Sequence, residues 1–239
     1  DGAGSAPRPL AAVPGRVLVS VGVGVVALAS ATGAPRWRVD REFLNRAPVG
    51  AGRATVYVGA AAAEPDGNPG AVPVSAHDAE TGARRWRLLL DGVAAVPQAA
   101  PRGAYVNTIR DQGRALYALR PGGTSWRVDG LELPGGAFAG DRLFAVAPGE
   151  AVVGVTAAGT EAWRHGLPTD LPGDHPLVVP VGGRPVVVAG ATATALAPGD
   201  GATLWSYDAG APVRSAVAGD GRAYLLTTDA VHALTLAGP

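Results

Sequence analysis

Apolar residues in this chain come in short runs, and Gly or Pro closes nearly every one. Residues 9–14, 16–21, 23–30 and 35–40 form the first set of four, dominated by Val, Leu and Ala. Short apolar runs bounded by turn residues are the pattern of strands joined by tight turns. We label the four runs A to D. They return as 47–51, 54–61, 74–79 and 84–90, with an insertion from Glu64 to Gly70 between B and C. A third set runs from Val96 through 104–109, 115–120 and 125–129. A fourth contributes 142–147, 152–156 and 161–165, and a fifth 177–181, 185–189, 194–197 and 203–208. The sixth begins at Val213, continues through 222–227 and 231–236, and stops before any D run.

Each D run but the sixth carries a tryptophan near its start, after a Gly-containing turn, as in Thr32-Gly33-Ala34-Pro35-Arg36-Trp37-Arg38. Trp37, Trp86, Trp126, Trp163 and Trp205 are all the tryptophans of the chain, at intervals of 49, 40, 37 and 42 residues. That interval is the length of one four-stranded propeller blade. The expected fold is therefore all-β, a β-propeller of six four-stranded blades with the last short of one strand. One domain spans 1–239, with blades at roughly 8–40, 41–92, 93–130, 131–168, 169–210 and 211–239. A ring of sheets must close or leave an unpaired edge. The residues before Pro9 are the candidates for completing the last blade; the alternative is a piece of a larger ring.

The five tryptophans are expected to be structural. An indole early in the outer strand can lie across the neighbouring sheet while its N–H finds a backbone acceptor. The Arg that usually follows then points to the opposite, solvated side, because side chains alternate along a strand.

Three stretches carry a family resemblance. Arg114-Ala115-Leu116-Tyr117-Ala118-Leu119 followed by a Gly turn and Ser125-Trp126-Arg127-Val128-Asp129 resembles the repeat of pyrroloquinoline-quinone-like (PQQ-like) propellers, and Asp78-Ala79-Glu80-Thr81-Gly82 before Arg85-Trp86 is similarly close. The resemblance covers nearly the whole chain. It implies fold more than function, because the family includes quinone-dependent dehydrogenases, outer-membrane assembly lipoproteins and sensor portions of bacterial Ser/Thr kinases. The dehydrogenases it implies have eight blades on a longer chain, and many place a disulfide of adjacent cysteines against the cofactor; this chain has no cysteine. The expected function is a non-catalytic ligand-sensing or protein-interaction module, such as a kinase sensor portion. An exported binding or assembly scaffold and a quinone-dependent dehydrogenase are the alternatives. No cofactor is expected, and an extracytoplasmic location is favoured.

Composition narrows the partners. Twenty basic residues, all Arg, balance twenty acids, so no basic face for nucleic acid is implied. The most apolar stretch, residues 17–31, is shorter than the roughly 20 residues of a spanning helix and is interrupted by Gly22 and Gly24; it reads as two strands. A protein or small-molecule ligand and a monomeric chain are the expectation.

Catalytic motifs do not emerge. His77, His165, His175 and His232 stand in no paired-ligand spacing, no serine lies in a G-x-S-x-G elbow, and Gly22-Val23-Gly24 precedes no helix. Asp66-Gly67-Asn68 clusters oxygens but is followed by Pro69-Gly70, which reads as a turn, whereas calcium needs six to eight oxygens. No catalytic residue and no metal site is therefore expected. Successive connections of an antiparallel meander alternate between its two ends. The C-to-D turns are tight and look structural. Polar variety gathers in the other set, the B-to-C and D-to-A connections: Arg41, Glu42 and Asn45; Glu64, Asp66 and Asn68; Arg110, Asp111 and Gln112; His165, Asp170, Asp174 and His175; and Asp229. Loops held by a rigid scaffold are where binding resides, so this face is the candidate site for a ligand or partner.

Overall fold

The computed structural model describes residues 8–21, 24–39, 49–59, 70–100, 102–110, 113–134, 137–139, 142–168 and 176–235. The chain divides into two compact units, Asp1–Asp129 and Gly130–Pro239.

The first unit holds three sheets, each an antiparallel meander in chain order. The first sheet is β1 (Arg8–Val13), β2 (Arg16–Val21), β3 (Gly24–Ala29) and β4 (Pro35–Val39); the second is β5 (Val49–Ala51), β6 (Thr55–Gly59), β7 (Ala71–Asp78) and β8 (Arg84–Asp91). The third is β9 (Ala94–Ala100), β10 (Gly103–Arg110), β11 (Gly113–Arg120) and β12 (Gly123–Asp129). The second unit repeats the plan with β13 (Phe138–Ala139), β14 (Arg142–Ala147), β15 (Ala151–Val155) and β16 (Glu161–Gly166), then β17 (Leu177–Val181), β18 (Arg184–Ala189), β19 (Thr192–Leu196) and β20 (Thr203–Asp208). Its last sheet has three strands among the described residues, β21 (Ser215–Gly219), β22 (Arg222–Leu226) and β23 (Val231–Thr235). The fold is thus an all-β propeller of four-stranded blades, with six sheets among the described residues, the last showing three strands.

Burial follows strand position. Inner strands such as β14 and β15 are buried on both faces, which is why they read as unbroken apolar runs. Outer strands such as β8 and β12 alternate between exposed and half-buried positions, the signature of one face packed and one solvated.

The tryptophans share one local construction. In all five complete sheets the pairing of the third and fourth strands slips by one residue just before the Trp, between Ala27 and Leu28, Ala76 and His77, Ala118 and Leu119, Gly154 and Val155, and Ala195 and Leu196. A β-bulge of this kind re-aims the next side chain. It sets each Trp directly opposite a small residue: Ala27, Ala76, Ala118, Gly154 or Ala195. One strand further in, the same row ends on a larger side chain: Leu18, Tyr57, Tyr105, Phe144 or Val186. The small residue lets the indole fold back across the row. A Cβ placed at Gly154 would run into the Trp163 ring. Where the inner residue is aromatic the rings meet, Tyr57 with Trp86 and Tyr105 with Trp126 at 5.9 Å between centroids, and Phe144 with Trp163 at 6.2 Å.

Two of the indoles also reach the following sheet. Trp37 is buried and its Nε1–H donates to the Ala79 carbonyl at 3.1 Å; Trp163 is buried and donates to the Pro198 carbonyl at 3.0 Å. Three residues beyond each acceptor stands a left-handed glycine, Gly82 (φ 74°) and Gly201 (φ 73°). A Cβ there would lie 2.8 Å and 2.5 Å, respectively, from the ring of the arriving Trp. The glycine turn, Thr81-Gly82 or Asp200-Gly201, is therefore both a turn and a seat. Trp86, Trp126 and Trp205 are half-buried.

The fourth sheet departs from the sequence pattern at its start. Its first strand is the two-residue β13, supplemented by an isolated bridge between Glu132 and Val146. Leu131, Leu133 and Ala137 are nevertheless buried, so this irregular stretch contributes apolar cover without a ladder.

Candidate functional site

Of the residues that the sequence places on the loop face, Arg110, His165 and Asp229 lie among those described. Arg41, Glu42, Asn45, Glu64, Asp66, Asn68, Asp111, Gln112, Asp170, Asp174 and His175 lie outside them.

In the first unit Arg110 belongs to a charged cluster at the strand ends that feed this face. It closes β10, while Asp91 closes β8 and Asp129 closes β12. Asp91 Oδ2 accepts from Arg110 Nη2 at 2.6 Å and from Arg127 Nη1 at 3.3 Å. Asp129 Oδ1 accepts from Arg127 Nη2 at 2.6 Å and Nε at 2.9 Å, with Arg110 Nη1 at 3.5 Å. Arg127 and Asp129 are two apart on one strand, so they share a side. The Arg127 guanidinium also sits 5.6 Å from the centroid of the Tyr117 ring, and the Tyr117 hydroxyl donates to the Asp91 carbonyl at 3.5 Å. The Asp129 carboxylate holds the Arg127 proton more tightly than usual, and burial pushes the Tyr117 phenol up.

These ion pairs are a third to two-thirds exposed, where each contributes about 0 to 1 kcal/mol. Stability is therefore a minor result of the cluster. Its larger effect is to hold two guanidiniums and two carboxylates in a fixed array at the surface, with bonding capacity left toward solvent. The array bridges the second and third sheets. Asp91 and Asp129 were not singled out in the sequence; for Asp129 the signal was the Asp that ends Trp126-Arg127-Val128-Asp129, two residues beyond the Arg, whereas Asp91 carries no such phrase.

In the second unit His165 lies on β16 opposite Val152 and is half-buried. Its neighbour Arg164 pairs with Glu161 at 2.8 Å and with Glu150, in the β14–β15 turn, at 3.7 Å. Asp229 lies in the β22–β23 turn and serves that turn: its Oδ1 stands 3.0 Å from the Thr227 hydroxyl, which also accepts the Ala230 N–H at 3.1 Å. His77, by contrast, is buried, with Nε2 2.8 Å from the Ser75 hydroxyl and Nδ1 3.1 Å from the Gly82 carbonyl. It is part of the second sheet's packing.

The C-to-D turns are occupied by internal bonds. Asp78 Oδ1 accepts from the Glu80 and Thr81 amides, both at 2.9 Å, and Oδ2 from Arg85 at 2.7 Å. Arg85 first, then the turn amides, hold its carboxyl well below the usual carboxylate range. Among the described residues no group of three His, Asp or Glu could hold a metal ion, and no helix is long and apolar enough to cross a membrane. A shallow cleft of about 220 Å³ lies between the β17–β18 and β21–β22 turns, lined by Pro180, Val181, Ala218, Arg222 and three glycines.

The sheets, the Trp rows and the turn seats together define a β-propeller, and part of the chain is similar to a PQQ-like repeat family. The family model described as outer membrane protein assembly factor BamB matches residues 148–237. No curated protein sequence matches the chain. Among solved structures the chain is similar to BamB from Moraxella catarrhalis, at 19% identity and a TM-score of 0.62, covering 94% of this chain and 69% of that one. It is similar to Saccharomyces cerevisiae Sqt1 at 8% identity and a TM-score of 0.65, with the same coverage. It is also similar to the quinohemoprotein alcohol dehydrogenase of Comamonas testosteroni, at 16% identity and a TM-score of 0.54, covering 84% of this chain and 42% of the enzyme. At these identities the likeness is one of fold.

Proposed function

We propose that this chain is a non-catalytic propeller that binds another protein through the face made by its B-to-C and D-to-A connections, in the manner of an assembly or binding scaffold. The observation that carries this is the cluster of Asp91, Arg110, Tyr117, Arg127 and Asp129. It puts paired charges and an aromatic ring at strand ends on that face, in a fixed geometry that contributes little to stability. The opposite turns are committed to structure, receiving Trp37 and Trp163 from the preceding sheets and, at Asp78, bonding within their own turn. Similarity to the BamB family model supports the scaffold reading over a catalytic one.

Arginine clusters set against aromatic rings suit recognition of an acidic partner surface, because the guanidinium fork can exchange an internal carboxylate for an external one. The test is a pair of chains, one with Arg110→Glu and Arg127→Glu, the other with Thr32→Glu in an exposed C-to-D turn. A partner retained by the natural chain should be lost by the first and kept by the second, with both folded by circular dichroism. Equal loss from both would refute the reading.

A further inference from the structure

Asp-Gly pairs recur along the chain, and those at 91–92, 129–130, 200–201 and 220–221 lie among the described residues. In each, the residue after the aspartate has no Cβ to shield its backbone nitrogen. All four aspartates are exposed. Neither sequence nor access therefore separates these pairs; the bonds that hold them do.

At three of the pairs the carboxylate is engaged. Asp91 accepts from Arg110 and Arg127, and the Gly92 N–H donates to the Gly70 carbonyl at 2.6 Å. Asp129 accepts from Arg127 at 2.6 Å. Asp200 Oδ1 accepts the Ala202 N–H at 3.0 Å, and the Gly201 N–H donates to the Ala197 carbonyl at 2.9 Å. At the fourth pair neither group is engaged. Asp220 and Gly221 form the two-residue loop of the β21–β22 hairpin, between the paired Gly219 and Arg222, with φ of 50° and 71°. Two left-handed residues in succession are the hairpin turn that Asp-Gly favours, and such a loop leaves its two central amides outside the ladder. The Asp220 carboxylate and the Gly221 N–H have no hydrogen-bond or ion-pair partner among the described residues. A Cβ at Gly221 would meet nothing within 4 Å, so the space around that nitrogen is open.

We propose that Asp220 is a modification site, at which the Gly221 nitrogen attacks the side-chain carboxyl carbon and the aspartate isomerises. The nitrogen lone pair forms an N–Cγ bond, and the amide proton leaves with the carboxyl hydroxyl as water, closing a cyclic imide. Water then adds to either carbonyl carbon and breaks its bond to nitrogen, which regains a proton. Opening at the side-chain carbon restores Asp220. Opening at the main-chain carbon leaves an isoaspartyl link, in which the backbone runs through the former side chain and the turn is one carbon longer. Water is the only reagent, taken up as it was released. Gly221 and Arg222 line the cleft beside the β17–β18 turn, so the product alters that wall. The enzyme class that recognises the product is a methyltransferase acting on the isoaspartyl carboxylate. The inference stands apart from the loop-face reading, since it uses a different turn and other residues.

The test holds the full chain warm at neutral pH and reads each site over time. Peptide mapping with a protease that cleaves before aspartate but not before isoaspartate locates the product, and labelled methyl transfer by an isoaspartate-specific methyltransferase counts it. Isoaspartate should form at 220 roughly tenfold faster than at 91, 129 or 200, the factor that one charge-assisted hydrogen bond broken beforehand adds to the barrier. In urea the four rates should converge, because the residue after each aspartate is the same. Asp220→Gly, which copies the Gly182-Gly183 turn of the fifth sheet, should remove the signal at this turn and leave circular dichroism unchanged. Isoaspartate at 91, 129 or 200 formed as fast as at 220 in the folded chain, none formed at 220, or a lead of 220 that survives in urea would each overturn the proposal.

Discussion

Replacing Gly82 with Ala probes the seat on which the first Trp rests, and Gly33 provides an internal control. Both glycines occupy the Thr-Gly turn of their sheets, with φ of 74° and 69°. An alanine at either pays the left-handed backbone penalty of about 1–2 kcal/mol. At Gly33 nothing lies within 4 Å of the added Cβ, whereas at Gly82 it would stand 2.8–2.9 Å from Cγ, Cδ2 and Cβ of Trp37. Overpacking against a ring that is also hydrogen-bonded to Ala79 adds roughly 1–3 kcal/mol. Gly33→Ala should therefore cost about 1–2 kcal/mol and Gly82→Ala about 2–5 kcal/mol. Both positions lie in the same unit, so equilibrium urea unfolding followed by circular dichroism compares them directly, provided the m-value is unchanged. In a Trp37→Ala background the Gly82→Ala penalty should fall to that of Gly33→Ala, because the colliding ring is gone. Costs at the two glycines within about 0.5 kcal/mol of each other, or no change in the Trp37→Ala background, would refute the seat.

Gly154→Ala in the second unit should be more damaging than Gly201→Ala, since its Cβ would overlap Trp163 from within the same sheet and the bulge leaves no slack; the thermal transition of the two variants ranks them. Asp78 gives a pH prediction. Its folded-state pKa lies below the unfolded value near 3.9, so its contribution is present above that value and is lost as pH falls through the folded one. The denaturation midpoint should therefore drop more steeply below about pH 4 in the natural chain than in Asp78→Asn. Parallel acid slopes would show that the Asp78–Arg85 turn does not contribute.

The sequence was most informative where spacing repeats. The Trp interval and the Gly-closed runs foretold six sheets and the short last one, because a blade is a local meander and local pairing leaves a periodic trace. The start of the fourth sheet was not foretold: Leu131, Leu133 and Ala137 are buried along an irregular path, and burial without alternation has no strand signature. The bulge before each Trp was also hidden, since the extra residue is Arg, Ser, Ala or Leu with no common chemistry. On the loop face, Arg110 was visible as a polar loop residue. Its partners were not, because Asp91 comes from the neighbouring second sheet and Asp129 from the end of a strand two places away in Arg110's own sheet.

The indole bonds also impose a timetable. Trp37 must wait for a carbonyl 42 residues later in the chain, and Trp163 for one 35 residues later. At a synthesis rate of roughly 5–20 residues per second, each of these two indoles stays unsatisfied for about 2–8 s before the turn that receives it leaves the ribosome. Assembly at these two places therefore advances in one direction, the first and the fourth sheet each being finished by its successor, and a pause within that interval would leave a single Trp as the surface on which the nascent chain can err.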